Sequence, residues 1–131
     1  MFLNKMKWAL LWALLIFILC TIPGQDIPHI SFLELLRFDK FVHAAMFFVL
    51  CLLMARGFSL QTSFLFLNRH YLAISALICV AYGGSLEIIQ GTWCVGRTAD
   101  IYDFIANSFG VLIAVLSYRK TEALFLNRFL N

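Results

Sequence analysis

Charge is what this sequence has least of: Asp, Glu, Lys and Arg supply 13% of its 131 residues, against 63% hydrophobic and a mean hydropathy of +0.90. Soluble domains carry about a quarter of their residues charged, so a soluble class is excluded and a membrane class is implied. The net charge is only +3 and no basic tract occurs, so no nucleic-acid partner is expected. The four cysteines, Cys20, Cys51, Cys79 and Cys94, show no CxxC spacing, which argues against a zinc knuckle or a disulfide framework. The first three lie in apolar runs, where cysteine packs as a small hydrophobe; Cys94 lies in a polar break. Internal repeats, low-complexity segments and an H-E-x-x-H motif are also missing.

What is present is a series of long apolar runs. The spans fall at about 8–22, 41–55, 71–89 and 101–118; the last two are near the 20 or so residues that a membrane crossing needs, and the first is short but can be extended by Met1 to Met6. The first has the charged start and hydrophobic middle of a signal peptide, but no cleavage site follows it, so an uncleaved first helix stopped by Pro23-Gly24 is expected. Residues 25–38, with Asp26, Pro28, His29, Glu34 and Arg37 among Ile30, Phe32, Leu33, Leu35 and Leu36, are too polar to span; they predict a loop and a short interfacial helix. Arg56-Gly57 is expected to end the second span, with a loop at 58–70. Trp8, Trp12 and Trp93 read as interface anchors at span ends, and residues 121–131 as a short amphipathic tail. The fold class is thus all-α: a polytopic bundle of four transmembrane helices with a short interfacial segment, one domain over 1–131.

Basic residues orient it. Lys5, Lys7, Arg56, Arg69, Arg119, Lys120 and Arg128 fall on one side, while Arg37, Lys40 and Arg97 fall on the other. By the positive-inside rule both termini are then cytoplasmic. Most acidic residues fall near the external face.

The chain is organised around 87–110. Asp100, Asp103, Asn107 and Gly110 recur at steps of three, four and three, which stacks them on one helix face. An ionisable group inside a bilayer costs at least about 2.5 kcal/mol, so such a stripe marks a functional site by default. Asp39 and His43 share a face at the start of the second span, with Lys40 about 100° around. If the helices bundle, Asp39, Lys40, His43, Glu87, Gln90, Arg97, Asp100, Asp103 and Asn107 converge on one external pocket. Catalysis could use His43 and Glu87 as proton carriers with Asp103 as orienter. Binding could use Arg97 and Lys40 on a phosphate, with Asp39, Gln90, Asp100 and Asn107 around it. A hydrated metal on Glu87, Asp103 and His43 is chemically conceivable, but no ligand spacing supports it; no metal site is assigned and no cofactor is named. The bland alternative is that these groups bond only to one another: Asp103 with Arg97 or Lys40, Asn107 with a backbone carbonyl, Glu87 with His43. Gly110 reads as a helix contact rather than a site residue, and Gly83-Gly84 as a second close-packing point. His29 and His70 read as solvated loop residues, and Phe47, Phe48, Phe64 and Phe66 as lipid-facing or core filler.

In order, Ile22-Pro23-Gly24, Asp39-Lys40-x-x-His43, Glu87-x-x-Gln90, Arg97 and Asp103-x-x-x-Asn107-x-x-Gly110 resemble the VanZ-like family of small bacterial membrane proteins, over about 8–118. Ala114 stands where a further small residue often follows at a step of four. The resemblance implies a helical cell-envelope membrane protein. Its namesake is linked to resistance to the glycopeptide teicoplanin; many members have no resistance context, so that trait does not transfer by resemblance. The expected function is binding of an anionic lipid or lipid-linked envelope precursor at the external pocket. A membrane-embedded hydrolase or transferase acting on a phospho-lipid, and a structural or partner-binding subunit, are the alternatives.

Overall fold

A computed structural model describes residues 1–23 and 32–129, the side chains of 32–37 and of Phe125 aside. The expected loop with Asp26, Pro28 and His29 lies outside the described residues. Everything regular within them is helical: α1 (Phe2–Thr21), α2 (Phe32–Ser59), α3 (Leu65–Arg69), α4 (Tyr71–Thr92) and α5 (Ile101–Thr121), then one wider π-type turn (Glu122–Leu126) and α6 (Asn127–Phe129). Four stretches are long and apolar enough to cross a membrane: Phe2–Thr21, Phe38–Ser59, Tyr71–Thr92 and Ile101–Leu124. At 1.5 Å per residue these are about 30–36 Å long, the thickness of a bilayer core.

The boundaries correct the sequence reading in four places. Helix α1 begins at Phe2 rather than near residue 8, because Lys5 and Lys7 are good helix formers with long side chains that reach water from a helix end. Helix α2 runs unbroken from Phe32, so the described part of the expected interfacial helix is the beginning of the second span's own helix. No Pro or Gly stands between Phe32 and Arg56 to separate them. Gly57 does not end α2; it lies inside the helix because a Cβ there would collide with Met6 and the Lys5 carbonyl of α1. The loop after α2 holds a short helix, α3, whose last carbonyls are met by the His70 amide; His70 itself is exposed and packs its ring on Phe66.

Helix α2 is the hub. It packs most extensively along α5 and also meets α1 and α4. Lipid tails are as apolar as leucine, so burial alone does not hold such helices together; close backbone approach and interhelical hydrogen bonds do. At Gly110 the α5 backbone lies so near the Ala44 carbonyl of α2 that any Cβ would overlap it. Asp103, Asn107, Gly110 and Ala114 all lie on this buried face. Trp12 donates its indole N–H to the Met46 carbonyl (2.9 Å), Tyr82 its hydroxyl to Ala13 (2.7 Å) and Gln90 its amide to Cys20 (2.9 Å), tying α1 to α2 and α4. Trp12 is therefore an interhelical tie in mid-span, not an interface anchor. Phe47, Leu50, Cys51, Cys79 and Leu86 fill the core, and Phe64 and Phe66 are exposed.

Candidate functional site

The sequence after α4 explains how distant groups meet. Gly91 faces Ala99 so closely that a Cβ would touch it, and Gly96 takes a left-handed φ of 72°, so residues 93–100 turn tightly back on the end of α4. Asp100 then caps α5: its carboxylate accepts the Tyr102 amide at 2.8 Å, and Asp103 adds a negative charge in the first turn, where the helix dipole favours it. The same fold-back lets the Asp100 amide donate to Glu87 Oε2 at 3.0 Å.

Against this corner α2 presents Asp39, Lys40 and His43. The Lys40 ammonium donates to Asp100 Oδ2 (2.6 Å) and to Asp103 Oδ1, with Asp39 Oδ2 at 3.7 Å. His43, 4% exposed, has its Nδ1 3.0 Å from Asn107 Oδ1. Since that oxygen can only accept, Nδ1 carries the hydrogen. The opposite ring atom, Nε2, faces Asp39 Oδ1 at 3.6 Å and Asp103 Oδ2 at 3.7 Å. Each of these two carboxylates thus turns one oxygen to Lys40 and the other to His43.

The electrostatics are lopsided. Asp39, Asp100 and Asp103 surround one ammonium, and Glu87 joins them only through the Asp100 amide. The Lys40 hydrogen bond holds the Asp100 carboxyl below its ordinary range, outweighing its slight burial. Glu87 is 7% exposed; its Oε1 is buried with no hydrogen-bond partner among the described residues. Beside the cluster a groove of about 420 Å³ opens between α4 and α5, lined by Gly84, Glu87, Ala99, Asp100, Ile101 and Phe104. Its walls are largely apolar and two of its lining residues are cluster carboxylates.

Seven of the nine expected site residues, Asp39, Lys40, His43, Glu87, Asp100, Asp103 and Asn107, form this continuous network. Gln90 does not join it, since its amide is bonded to the Cys20 carbonyl of α1. Arg97 reaches the Ile22 carbonyl through Nε at 3.0 Å and is half-buried. Pairings within the network also differ from those expected: Asn107 holds His43 rather than a backbone carbonyl, and Glu87 holds the Asp100 amide rather than His43. Asp103 does pair with Lys40. Sequence reasoning missed the carbonyls of Cys20 and Ile22 as partners. Nothing in residue type marks an acceptor of that kind, although Thr21-Ile22-Pro23 signalled the helix end that exposes it.

The family model described as VanZ/LLP1 matches residues 5–126, which takes in all four spans and every residue of the network. The chain belongs to the VanZ/LLP1 family. No curated protein sequence and no solved structure matches it. Family membership thus accords with a VanZ-like membrane protein, and within that family the Lys40 network is the polar centre of this chain's bundle.

Proposed function

We propose that this VanZ-family protein binds an anionic lipid or lipid-linked envelope precursor at the Lys40 end of the bundle, and that this end faces outward from a bacterial inner membrane. Orientation is supported by basic residues: Lys5, Lys7, Arg56, Arg69, Arg119 and Lys120 collect at the end that also carries the start of α1 and the end of α5, which the positive-inside rule places in the cytoplasm. The observation that carries the binding reading is the groove whose apolar walls, Ala99, Ile101 and Phe104, run into the carboxylates of Glu87 and Asp100. A surface that is apolar towards the bilayer and polar at its rim suits an acyl or prenyl chain with its head group at the interface. Lys40 is committed to its carboxylates, so Arg97 is the cation that meets the head group, through the guanidinium nitrogens beyond its Ile22 bond.

The test is native mass spectrometry of protein gently extracted from its membrane. A retained lipid mass in wild type that is lost in Arg97→Ala, with both proteins equally folded, supports the reading. Equal retention of every anionic lipid by both proteins overturns it. If the ligand is a cell-wall precursor, altered susceptibility to glycopeptides such as teicoplanin is the phenotype expected of a deletion strain.

A phospho-lipid hydrolase or transferase is the second reading, and His43 favours it. Its tautomer is fixed by Asn107 and its Nε2 is aimed at two carboxylates, an arrangement that suits a proton carrier. Asn107 rather than Asp103 is then the orienter of the ring. Product formation in detergent that is lost in His43→Ala and Glu87→Gln would select this reading, while saturable binding without product would select the first. Tolerance of both substitutions in every assay would leave a structural or partner-binding subunit.

A further inference from the structure

We infer that Asp39, His43 and Asp103 form a binding site for a divalent first-row metal ion, with Asn107 as the group that orients the imidazole. Three atoms define the site. Asp39 Oδ1, His43 Nε2 and Asp103 Oδ2 all lie within 4.8 Å of one another. With Nδ1 hydrogen-bonded to an oxygen that can only accept, Nε2 is the ring atom left to hold a proton or a metal ion. That atom and two carboxylate oxygens, at 3.6 and 3.7 Å, then face one another. Three electron-rich atoms converge stably only around positive charge, either one proton shared from Nε2 to both oxygens or a metal ion, and separations of 3.6 and 3.7 Å are long for a shared proton.

Two further features fit a metal. Ligating histidines almost always donate their other ring N–H to an oxygen, which fixes the tautomer and raises ligand basicity; Asn107 Oδ1 provides that acceptor here at 3.0 Å. Lys40 occupies different oxygens, Asp39 Oδ2 and Asp103 Oδ1, so ammonium and metal ion do not compete for the same atoms. Charge points the same way. Three carboxylates around one ammonium leave a surplus of negative charge in a partly buried corner, and Glu87, bonded to the Asp100 amide, keeps its other oxygen, Oε1, buried without a hydrogen-bond partner among the described residues.

The donor set selects the ion. Magnesium and calcium prefer oxygen alone, whereas one imidazole with two carboxylates suits zinc, manganese or iron in the divalent state. Bonds of about 2.1 Å hold ligand atoms roughly 3 to 3.5 Å apart, so the histidine–carboxylate separations need only contract slightly. Asp39, with its side chain 42% exposed at the start of the span, is free to make the larger adjustment. Three protein ligands leave open positions, as at catalytic rather than structural metal sites.

The site stands independently of the lipid reading, and its test uses no lipid. Full-length protein in detergent micelles, with any affinity tag removed, is stripped with chelator and titrated with Zn²⁺ and, for its absorption spectrum, Co²⁺. The expected result is about one ion per chain by elemental analysis, with a visible Co²⁺ band. Asp39→Asn and His43→Gln should each weaken binding at least tenfold, and Asn107→Ala by about 10- to 100-fold; Glu122→Gln, at the far end of the bundle, should leave it unchanged. Asp39→Asn keeps the test valid if the more buried variants fail to fold. Less than a tenth of an ion per chain in wild type, or equal binding in wild type and Asp39→Asn, overturns the site.

Discussion

At the Arg56 end of the bundle one guanidinium meets one carboxylate, Glu122, at 3.1 Å, and the surrounding polar groups are tied off locally. Tyr118 donates to Glu122 at 3.2 Å, Gln61 to the Gly57 carbonyl at 3.2 Å, and Lys5 to the Leu60 carbonyl. At the Lys40 end one ammonium serves three carboxylates, a histidine faces two of them, and a buried glutamate oxygen goes unanswered. Both ends lie in the same bilayer geometry and are built from the same few residue types. The Arg56 end has an excess of base beside a groove of about 380 Å³ lined by Lys5, Lys7 and Arg56; the Lys40 end has an excess of acid bound up with a buried histidine and a buried glutamate, and that inward-facing acid is what calls for a function.

The sharpest way to erase the contrast is to remove what both ends share. Gly110→Val drives a side chain into the Ala44 backbone, and overpacking of this kind should cost about 3 kcal/mol or more. Loss of monodispersity in size-exclusion chromatography and of cooperative thermal unfolding would register it at both ends together.

The next largest effect separates them. Lys40→Met strands Asp100 and Asp103 and should destabilise by about 2 to 4 kcal/mol, below the full cost of breaking a deeply buried pair because the lysine is partly exposed. The double variant Arg56→Met with Glu122→Gln removes both partners at the other end and should stay within about 1 kcal/mol of wild type. Chemical denaturation in detergent checks both; equal losses would mean that the two ends are energetically alike.

A smaller effect is set by pH. Because the Lys40 bond depresses the folded-state pKa of Asp100, its contribution is fully present above the ordinary value of 3.8 and is lost as pH falls through the lower, folded-state value. Asp100→Asn should therefore flatten the acid limb of the stability profile while leaving stability above pH 5 parallel to wild type. The smallest effect belongs to Arg97→Ala, whose exposed bond to Ile22 should be worth no more than about 0.5 kcal/mol. Thermal unfolding should scarcely move, so a loss of bound lipid in that variant reports binding and not folding.

Four spans, their order and the polar face of α5 were legible in the sequence because each is local: length, hydropathy and a step of three and four are enough. Seven of the nine polar residues singled out in the sequence meet in one network, and they could be named because ionisable groups stand out in an apolar chain. Their pairing was not legible. Which carboxylate Lys40 reaches, and that Gln90 turns away to α1, depend on helix rotation about the bundle axis, which periodicity leaves free. Gly57 is the clearest case. In sequence it follows Arg56 as a helix-ending glycine would, and only the neighbouring α1 backbone explains why it sits inside α2. Trp12 likewise looked like an interface residue until its indole found the Met46 carbonyl.

The close approach of Gly110 to Ala44 also governs how the molecule can move. His43 precedes Ala44 by one residue, and Asn107 lies one turn before Gly110, so their hydrogen bond sits beside the point where α2 and α5 are pressed together. Two rods rocking about a pinch point sweep least near it and most at their tips. The imidazole thus sits near the pivot, whereas Asp39 and Lys40 a turn further along α2, and Asp100 at the start of α5, lie farther from it. Opening and closing at this end would carry the charges across a histidine that stays still.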